Sequence, residues 1–306
     1  MIKVLLLDVG DTLVKTSASA VFPHVREALG TLSSFETAAG DPLVLCVVSD
    51  FEMPVLRTAA KIKATFQKFT TLLDSFGLKQ FFEPVNQHIT LSTHAGVTKP
   101  DPKIFKLALQ RLGLPATGFD SCLFITENKT HLEACQALGM KTLRFGETTA
   151  PGVDFTNWSK APLLVSHIVH ATHQANLESA LGLMLATEHD LEITAVQERT
   201  ADNRIRLQAQ CWHPVPLRKA SGAEEIQVQL PTEVEVRLDE HGNVLAVNHR
   251  QPDPEQVAEA AHSVATLEAN HQLAHQSMPA TGEATHLVEK DEKGRNRLVR
   301  KRFSAI

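Results

Sequence analysis

The sequence predicts an α/β domain with a doubly wound parallel sheet over residues 1–165, followed by an α+β domain over residues 166–306. Three observations support this prediction. Short apolar runs alternate with helix-forming segments through the first half, as a parallel sheet covered by helices requires. Polar residues directly follow some of those runs. Beyond about residue 160 the alternation gives way to strand pairs joined by turns, flanked by long helical segments.

In the first half, strands show as continuous apolar runs, because a strand buried on both faces needs no polar alternation. Helices show amphipathic periodicity and end signals. Asp101 and Pro102 suit the cap and first position of a helix, and Gly139 suits a C-terminal cap. In chain order the prediction is strand 2–7, helix 21–32, strand 43–48, helical segment 54–76, strand 89–92, helix 102–112, strand 122–125, helix 132–138 and a strand from 142 to 145.

The second half predicts helices near its start and towards its end, with paired strands between and after them. Turn-forming clusters at 201–203, 240–243 and 291–294 indicate hairpins. The predicted elements are helical segment 161–186, strands 191–196, 204–210, 225–230, 233–238 and 244–248, helix 254–275, and strands 286–289 and 297–300.

Composition argues against several classes of function. The net charge is -5, and the chain has no tyrosine and two tryptophans. A nucleic-acid partner that relies on overall charge or on base stacking is therefore not expected. No apolar run reaches the roughly 18 residues of a membrane span. The four cysteines lack CxxC spacing, which favours reduced thiols and a cytoplasmic protein.

Candidate site residues lie where predicted strands end. Asp8 follows the first strand, Ser49 ends the second, and Glu127 lies just after the strand at 122–125. Lys99 lies in the loop before the helix at 102–112. Because the carboxyl ends of parallel strands meet at one edge of a sheet, we expect these four side chains to converge there.

Four phrases carry a resemblance to a known superfamily: "LLLDVGDTL", "VVSDF", "GVTKPDPKIFKLALQRLG" and "FITENKTHLEACQALGM". In order and spacing they resemble the motifs of the haloacid dehalogenase-like hydrolases. The resemblance covers roughly residues 1–160, and the Lys-Pro-Asp-Pro-x-Ile-Phe phrase is its most specific part. It implies a doubly wound α/β fold, in agreement with the alternation of strands and helices.

The resemblance also implies roles for individual residues. Asp8 matches the nucleophile that attacks phosphorus and forms an aspartyl-phosphate. Ser49 matches the hydroxyl that binds the transferring phosphoryl group, and Lys99 matches the cation that balances its charge. Asp8, the backbone carbonyl of Gly10 and Glu127 would hold Mg²⁺.

Two departures from the family pattern bear on catalysis. Gly10 stands where the phosphatases usually have a second Asp, the general acid/base. Asp11, one position later, either replaces that Asp or serves as a turn residue that bonds its own backbone. In the last motif, aligned on "ALGM", Thr126 and Glu127 are followed by His131. A single carboxylate there leaves a weak Mg²⁺ site or none. His131 is either a polar residue at a helix start or a poor ligand for Mg²⁺.

The segments between the motifs are short, which predicts the capless type of this fold. An open site suits a phosphorylated small molecule or macromolecule. A lid from residues 166–306 or from a partner chain in an oligomer would be compatible with it.

The second half holds two further candidate sites. His167, His170 and His173, and separately His271 and His275, have helical spacing, and an i, i+4 pair could bind zinc. Polar surface positions are the alternative. Seven basic residues between Lys290 and Arg302 indicate either an anion-binding strip or a solvated edge.

The leading hypothesis is a hydrolase of the phosphatase type with Asp8 as nucleophile, atypical because of Gly10. Its alternative is a catalytically impaired scaffold with a binding or regulatory role. A nucleic-acid binder that uses the basic strip is a third hypothesis.

Overall fold

The structure of the protein is a computed structural model that describes residues 1–170, 174–200, 202–219, 222–275 and 284–300. The chain divides into two compact units, Met1–Met184 and Leu185–Ile306. None of the helices in the described ranges combines the length and apolarity needed to cross a bilayer.

The first unit contains a five-stranded parallel sheet. In chain order its strands are β1 (Val4–Leu7), β4 (Val44–Ser49), β5 (Ile89–Leu91), β6 (Cys122–Thr126) and β7 (Lys141–Arg144), and two short strands, β2 (Val14–Lys15) and β3 (Ala20–Val21), form a separate hairpin. The spatial order is β5-β4-β1-β6-β7, with every neighbouring pair parallel. The predicted doubly wound α/β sheet is confirmed, whereas the capless type stays a prediction.

Helices flank this sheet. They are α1 (Val25–Ser33), α2 (Ala59–Ser75), α3 (Val85–His88), α4 (Ser92–Ala95), α5 (Pro102–Arg111), α6 (Lys129–Ala137), α7 (Ala161–His170) and α8 (Gln174–His189). The predicted cap of α5 is present, because the Asp101 carboxylate accepts a hydrogen bond from Lys103 N–H at 2.9 Å. The predicted helical segment from residue 54 begins only at Ala59, where the Thr58 side chain caps it.

One side of the sheet forms a core with α5 and α6. Val4, Leu6 and Phe124 from the central strands pack there with Phe105 of α5 and Leu132 of α6. All four side chains of β1 are buried. Because both faces of the sheet are covered, the edge at the carboxyl ends of the strands is where polar side chains can meet.

The boundary between the units lies later than the predicted position near residue 165. Helix α7 packs against α1. In α8, the Asn176 side-chain amide donates to the Glu36 carbonyl at 2.8 Å and accepts from Glu36 N–H at 3.2 Å. These contacts attach the chain up to Met184 to the first unit.

The second unit is built around a β-sheet that contains most of its secondary-structure elements. Its elements are β8 (Leu191–Arg199), β9 (Arg204–Lys219), β10 (Gly222–Leu238), β11 (Val244–His249), α9 (Pro254–Ala269), β12 (Leu273–His275), β13 (His286–Lys290) and β14 (Asn296–Arg300). The order is β12-β13-β14-β10-β9-β8, and β11 pairs with β10. The β8–β9, β10–β11 and β13–β14 pairs are antiparallel, as the predicted hairpins require.

Two elements of the second unit differ from the prediction. The strands predicted at 225–230 and 233–238 are one strand, β10, in which Pro231 pairs with Gln210 of β9. On the other side of β10, the β14 pairing lies at Gln227 and the β11 pairing starts at Val234, so Pro231 lies where its missing N–H interrupts neither ladder. The helix predicted at 254–275 ends at Ala269, and the chain continues into a short strand.

Candidate active site

Asp8 is held at the carboxyl end of the central strand β1. Its backbone N–H donates to the Ile125 carbonyl at 3.0 Å, which continues the pairing with β6. Its side chain is 8% exposed, and Oδ1 accepts a hydrogen bond from Val9 N–H at 2.8 Å. The position and one oxygen of the carboxylate are therefore set by backbone contacts.

Lys99 forms a buried ion pair with Asp8 Oδ1, and its side chain is 1% exposed. Nζ also donates to the Val48 carbonyl at 3.1 Å, and Lys99 N–H donates to Asp50 Oδ1 at 3.0 Å. The loop before α5 is thus attached to the end of β4 at two points. Removing one partner of such a pair leaves a buried charge without compensation, so the two residues act as a unit.

Thr126, Glu127 and Thr12 complete the group around Asp8. The Thr126 hydroxyl lies 3.0 Å from Asp8 Oδ2 and 3.1 Å from Glu127 Oε2, and it accepts from Asn128 N–H at 3.2 Å. The Thr12 hydroxyl donates to the same Glu127 oxygen. A hydroxyl carries one proton, so Thr126 donates either to Asp8 or to Glu127 at any moment.

Ser49 is the last residue of β4 and is 4% exposed. Leu7 pairs with Val47 in the register of the two strands, so Ser49 lies beside the residues that follow Asp8. The structure therefore brings Asp8, Lys99 and Glu127 into one bonded group, with Ser49 at the same edge. The roles assigned to them stay predictions.

Residues that the sequence reasoning did not single out support this group. Thr12 is fully buried, and its carbonyl accepts a hydrogen bond from Trp158 Nε1 at 2.9 Å. The Arg144 Nε donates to the Glu127 carbonyl at 3.2 Å. Thr12 lies in the opening motif, so its position was visible in the sequence, but Trp158 and Arg144 carry no such signal.

No protein-family model matches the chain, and no curated protein matches it. Solved structures that are similar include the L-2-haloacid dehalogenase of Xanthobacter autotrophicus, 13% identical, covering 59% of this chain and 88% of that one, with a TM-score of 0.37. A haloacid dehalogenase-superfamily hydrolase of subfamily IA from Geobacter sulfurreducens is 12% identical, covering 49% and 92%, with a TM-score of 0.35. A conserved haloacid dehalogenase-like protein of unknown function from Agrobacterium tumefaciens is 18% identical, covering 49% and 61%, also at 0.35.

At such low identities and TM-scores, these similarities support no conclusion about activity. The resemblance rests on the order of the motifs and on the parallel sheet that places their residues at one edge. The N-terminal half resembles the haloacid dehalogenase-like hydrolases.

In this half of the chain, Asp11 is a turn residue. Its backbone is left-handed, with φ of 51°, and its exposed carboxylate accepts a hydrogen bond from Thr16 N–H at 2.9 Å. Asparagine and aspartate tolerate this conformation better than other residues. The turn interpretation accounts for these contacts, and catalytic use of Asp11 stays a prediction without a contact that supports it.

Asp8, Gly10 and Glu127 were the predicted ligands of Mg²⁺, and that role stays a prediction. Proteins bind Mg²⁺ through one or two carboxylates, and water and substrate phosphate supply the other oxygens of its octahedral shell. Both oxygens of Asp8 already contact protein donors, and Glu127 Oε2 contacts the hydroxyls of Thr12 and Thr126. Within the described residues, no group of three or more His, Cys, Asp or Glu side chains could hold a metal ion.

His131 lies among the charged groups of this site. Burial lowers the pKa of its imidazole and Lys99 lowers it further, against the opposing effect of Asp8, Asp50 and Glu127. Its Nδ1 is buried and has no hydrogen-bond partner within the described structure. His131 is a polar residue at a helix start, as one of the two predicted alternatives has it, since it is the third residue of α6.

The candidate zinc pair of the second half is not on a helix. His271 and His275 both follow the end of α9 at Ala269, and His271 has left-handed backbone with φ of 55°. The shared helix face on which that prediction depended is therefore absent. His167 lies on α7, the side chain of His170 is not described, and His173 lies outside the described residues.

Three members of the basic strip near the C-terminus, Lys293, Arg295 and Arg297, form ion pairs with acids. Lys293 and Arg295 contact Asp190 at 2.5 and 3.2 Å, and Arg295 also contacts Asp291 at 2.8 Å. Arg297 contacts both acids as well. These pairs favour a structural edge over an anion-binding surface. Of the other four members, Lys290 and Arg300 are described, and Lys301 and Arg302 lie outside the described residues.

Proposed function

We propose that the first unit is a hydrolase of the phosphatase type, in which Asp8 is the nucleophile and a phosphate monoester is the substrate. The observation that carries this proposal is the buried Asp8–Lys99 ion pair at the carboxyl edge of the sheet. A nucleophile needs a fixed position, and a cation beside it offsets the charge of an approaching phosphoryl group. Ser49 supplies a hydroxyl at the same edge.

Two bond exchanges make up the reaction. An Asp8 oxygen forms a bond to phosphorus while the bond from phosphorus to the ester oxygen breaks, and the leaving alkoxide takes a proton from water. Water then adds to phosphorus, the bond to Asp8 breaks, and inorganic phosphate is released. The proton lost by that water neutralises the hydroxide made in the first step, and the carboxylate is restored.

Oδ2 is the Asp8 oxygen that suits attack. Oδ1 contacts both Lys99 and Val9 N–H, whereas Oδ2 contacts only the Thr126 hydroxyl among the contacts described here. When Thr126 donates its proton to Glu127 instead, Oδ2 is released for bonding to phosphorus. Gly10 provides no acid for the leaving group, so slow turnover is expected, with leaving groups of low basicity hydrolysed best.

The test is hydrolysis of p-nitrophenyl phosphate and of a panel of phosphorylated metabolites by the wild type and by Asp8→Asn, with and without EDTA. We expect turnover of the nitrophenyl ester and its loss in Asp8→Asn, and the comparison with EDTA shows whether turnover needs a divalent ion. Wild-type turnover that does not exceed that of Asp8→Asn on any phosphate would contradict the proposal.

A binding scaffold is the second candidate function. Gly10 removes the acid/base position, and the carboxylate of Asp11 contacts Thr16 N–H in the turn. A scaffold would bind inorganic phosphate or a phosphorylated macromolecule without hydrolysing it. Phosphate binding that both the wild type and Asp8→Asn show, with turnover by neither, would favour this candidate.

We also propose a cytoplasmic location, supported by the state of the cysteines. Cys46, Cys122, Cys135 and Cys211 are all buried and free. Burial raises the pKa of the Cys46 thiol to about 12, so this side chain is a packing residue rather than a nucleophile. Buried thiols without disulfides are typical of reducing compartments.

A further inference from the structure

His131 is attached to the nucleophile through the first turn of α6. Its backbone N–H donates to the Asn128 side chain at 3.2 Å, which caps the helix. The backbone N–H of Asn128 in turn donates to the Thr126 hydroxyl, which contacts Asp8. The position of His131 relative to Asp8 is therefore set by three successive hydrogen bonds.

Charged groups from four elements act on the imidazole. They are the carboxylate of Asp8 after β1, the carboxylate of Asp50 after β4, the ammonium of Lys99 before α5, and the carboxylate of Glu127 after β6. These are the groups that surround the predicted position of the substrate. The His131 imidazole therefore lies close enough to the candidate site for all four charges to act on it.

The buried Nδ1 defines which nitrogen carries the proton. A proton on Nδ1 would form a buried N–H without an acceptor in the described structure, and such groups are strongly disfavoured. The neutral ring with its proton on Nε2 avoids that penalty. Burial, followed by the charge of Lys99, lowers the pKa of the imidazole, so the ring is neutral at pH 7.

We propose that the Nε2–H of neutral His131 donates a hydrogen bond to an oxygen of the phosphoryl group that Asp8 attacks. The inference rests on the proposed function and adds a residue to it. Charge develops on the phosphoryl oxygens in the transition state, and donors from the protein stabilise it. Lys99 is one such donor, and a neutral imidazole supplies a second without adding a charge that burial would penalise.

Two variants test the hydrogen bond. His131→Gln keeps an N–H group near the place of Nε2, and His131→Leu removes it. For p-nitrophenyl phosphate we expect His131→Leu to lose about tenfold or more in kcat/KM and to bind inorganic phosphate more weakly, since this corresponds to one hydrogen bond to a charged group. His131→Gln should stay within about threefold of the wild type.

His88 offers a matched control. It is also half-buried, with burial lowering the pKa of its imidazole, but it precedes β5 and so lies at the amino ends of the strands. His88→Leu should leave kcat/KM unchanged. Equal losses in His131→Gln and His131→Leu would show a packing role for His131 and overturn the inference.

A second readout does not depend on turnover. Long-range ¹⁵N–¹H spectra of histidine-labelled wild type, with the His131 signals assigned from their absence in His131→Gln, report the protonated nitrogen directly. We expect the Nε2–H form at pH 7 and a shift of its Nε2–H signal when inorganic phosphate is added. An Nδ1–H form, an imidazolium, or a signal that phosphate leaves unmoved would overturn the inference.

The two readouts separate this inference from the proposed function. Wild-type turnover that is lost in Asp8→Asn but unaffected in His131→Leu would overturn the role of His131 and leave the function standing. A phosphate-induced shift of the His131 signal without any turnover would contradict the function and support His131 as a phosphate contact.

Discussion

At the scale of single residues, one proton on Thr126 links the two carboxylates of the site. Its hydroxyl lies within 3.1 Å of both Asp8 Oδ2 and Glu127 Oε2. From the sequence, Thr126 counted only as a lost acid, because the family pattern has a carboxylate-rich motif there. Its distance from Asp8 depends on the pairing of β1 with β6, which the sequence does not reveal. By contrast, Asp8, Lys99 and Glu127 could be placed from their motifs alone.

Replacing Thr126 by valine tests this link. Valine has nearly the same shape, but it lacks the hydroxyl, so the one proton that Asp8 Oδ2 and Glu127 Oε2 share is lost. We expect kcat for p-nitrophenyl phosphate to fall by about tenfold or more, as for a hydrogen bond to a charged group. Thr126→Ser keeps the hydroxyl and should retain most of the activity. Equal rates for wild type and Thr126→Val would rule out a role for this proton in turnover.

Gly10 permits the reverse experiment. Its backbone does not have positive φ, and a Cβ added there would meet only Thr16 Oγ1, at 3.4 Å, which is an ordinary contact. The resemblance places the acid/base of the phosphatases at this position. We expect Gly10→Asp to raise kcat for alkyl phosphates, whose leaving groups need a proton, by about tenfold or more.

Gly10→Asn is the matched control, since it has the shape of aspartate and no titrating group. Comparing the pH dependence of kcat for the two variants separates proton transfer from a change in the turn. If Gly10→Asp and Gly10→Asn show the same rates at every pH, the site does not use an acid from this position.

At the scale of elements, predictions succeeded where local signals determine the structure and failed where pairing partners determine it. The cap of α5 follows from Asp101 and Pro102, and both occur as predicted. The end of α9 could not be predicted, because the Ala-rich pattern continues beyond Ala269 while the chain turns at His271 into β12. The continuity of β10 across Pro231 likewise depends on its neighbours, β14 and β11.

Two aspartate caps allow helix ends in the two units to be compared. Asp101 accepts from Lys103 N–H and Asp253 accepts from Glu255 N–H, both at 2.9 Å and both before a proline. We expect Asp101→Ala to destabilise the first unit by about 1 kcal/mol, with a fall in Tm of about 2–4 °C. Asp253→Ala should do the same for the second unit only.

Each unit contains one tryptophan, so fluorescence can report on the two units separately. Trp158 is fully buried in the first unit, and Trp212 lies on β9 in the second. Thermal unfolding of Asp101→Ala in a Trp212→Phe background follows the first unit. A change of similar size in the Trp212 signal of the Trp158→Phe background would show that the cap of α5 does not act on its own unit.

At the scale of the whole molecule, two units with separate sheets were expected from the change of pattern near residue 160. The position of the boundary was not, because α7 and the start of α8 continue the helical pattern and nothing local shows that they pack on the first unit. The contact between Asn176 and Glu36 joins residues far apart in the sequence. Such contacts depend on how distant segments pack in the folded chain. They produce no periodic pattern of apolar residues in the sequence.

Three residues of the basic strip belong to a network of ion pairs in the second unit. Asp190, just before β8, pairs with Lys293, Arg295 and Arg297 around the β13–β14 hairpin. The Arg297 guanidinium also lies 4.4 Å from the centre of the Trp212 ring. The network joins the start of the unit to its last described strands. Its loss should therefore destabilise the whole unit rather than one edge of it.

This network predicts a pH dependence with a definite sign. Burial alone would raise the pKa of Asp190, but the hydrogen bond from Lys293 and the charge of Arg295 together hold it below its usual range. A carboxylate with a depressed pKa in the folded state contributes stability that is fully present above its unfolded pKa. That contribution is lost as the pH falls through the folded value.

We therefore expect the urea midpoint of the second unit, followed by Trp212 fluorescence in Trp158→Phe, to fall as the pH drops from about 5 to about 3. Asp190→Asn should lower the midpoint at pH 7 and reduce its fall with acid, because the titrating group is gone. Glu240→Gln, a change in an exposed hairpin turn, should leave both unchanged. If Asp190→Asn and wild type lose stability in parallel from pH 5 to pH 3, the network does not hold this unit together, and the acid sensitivity has another source.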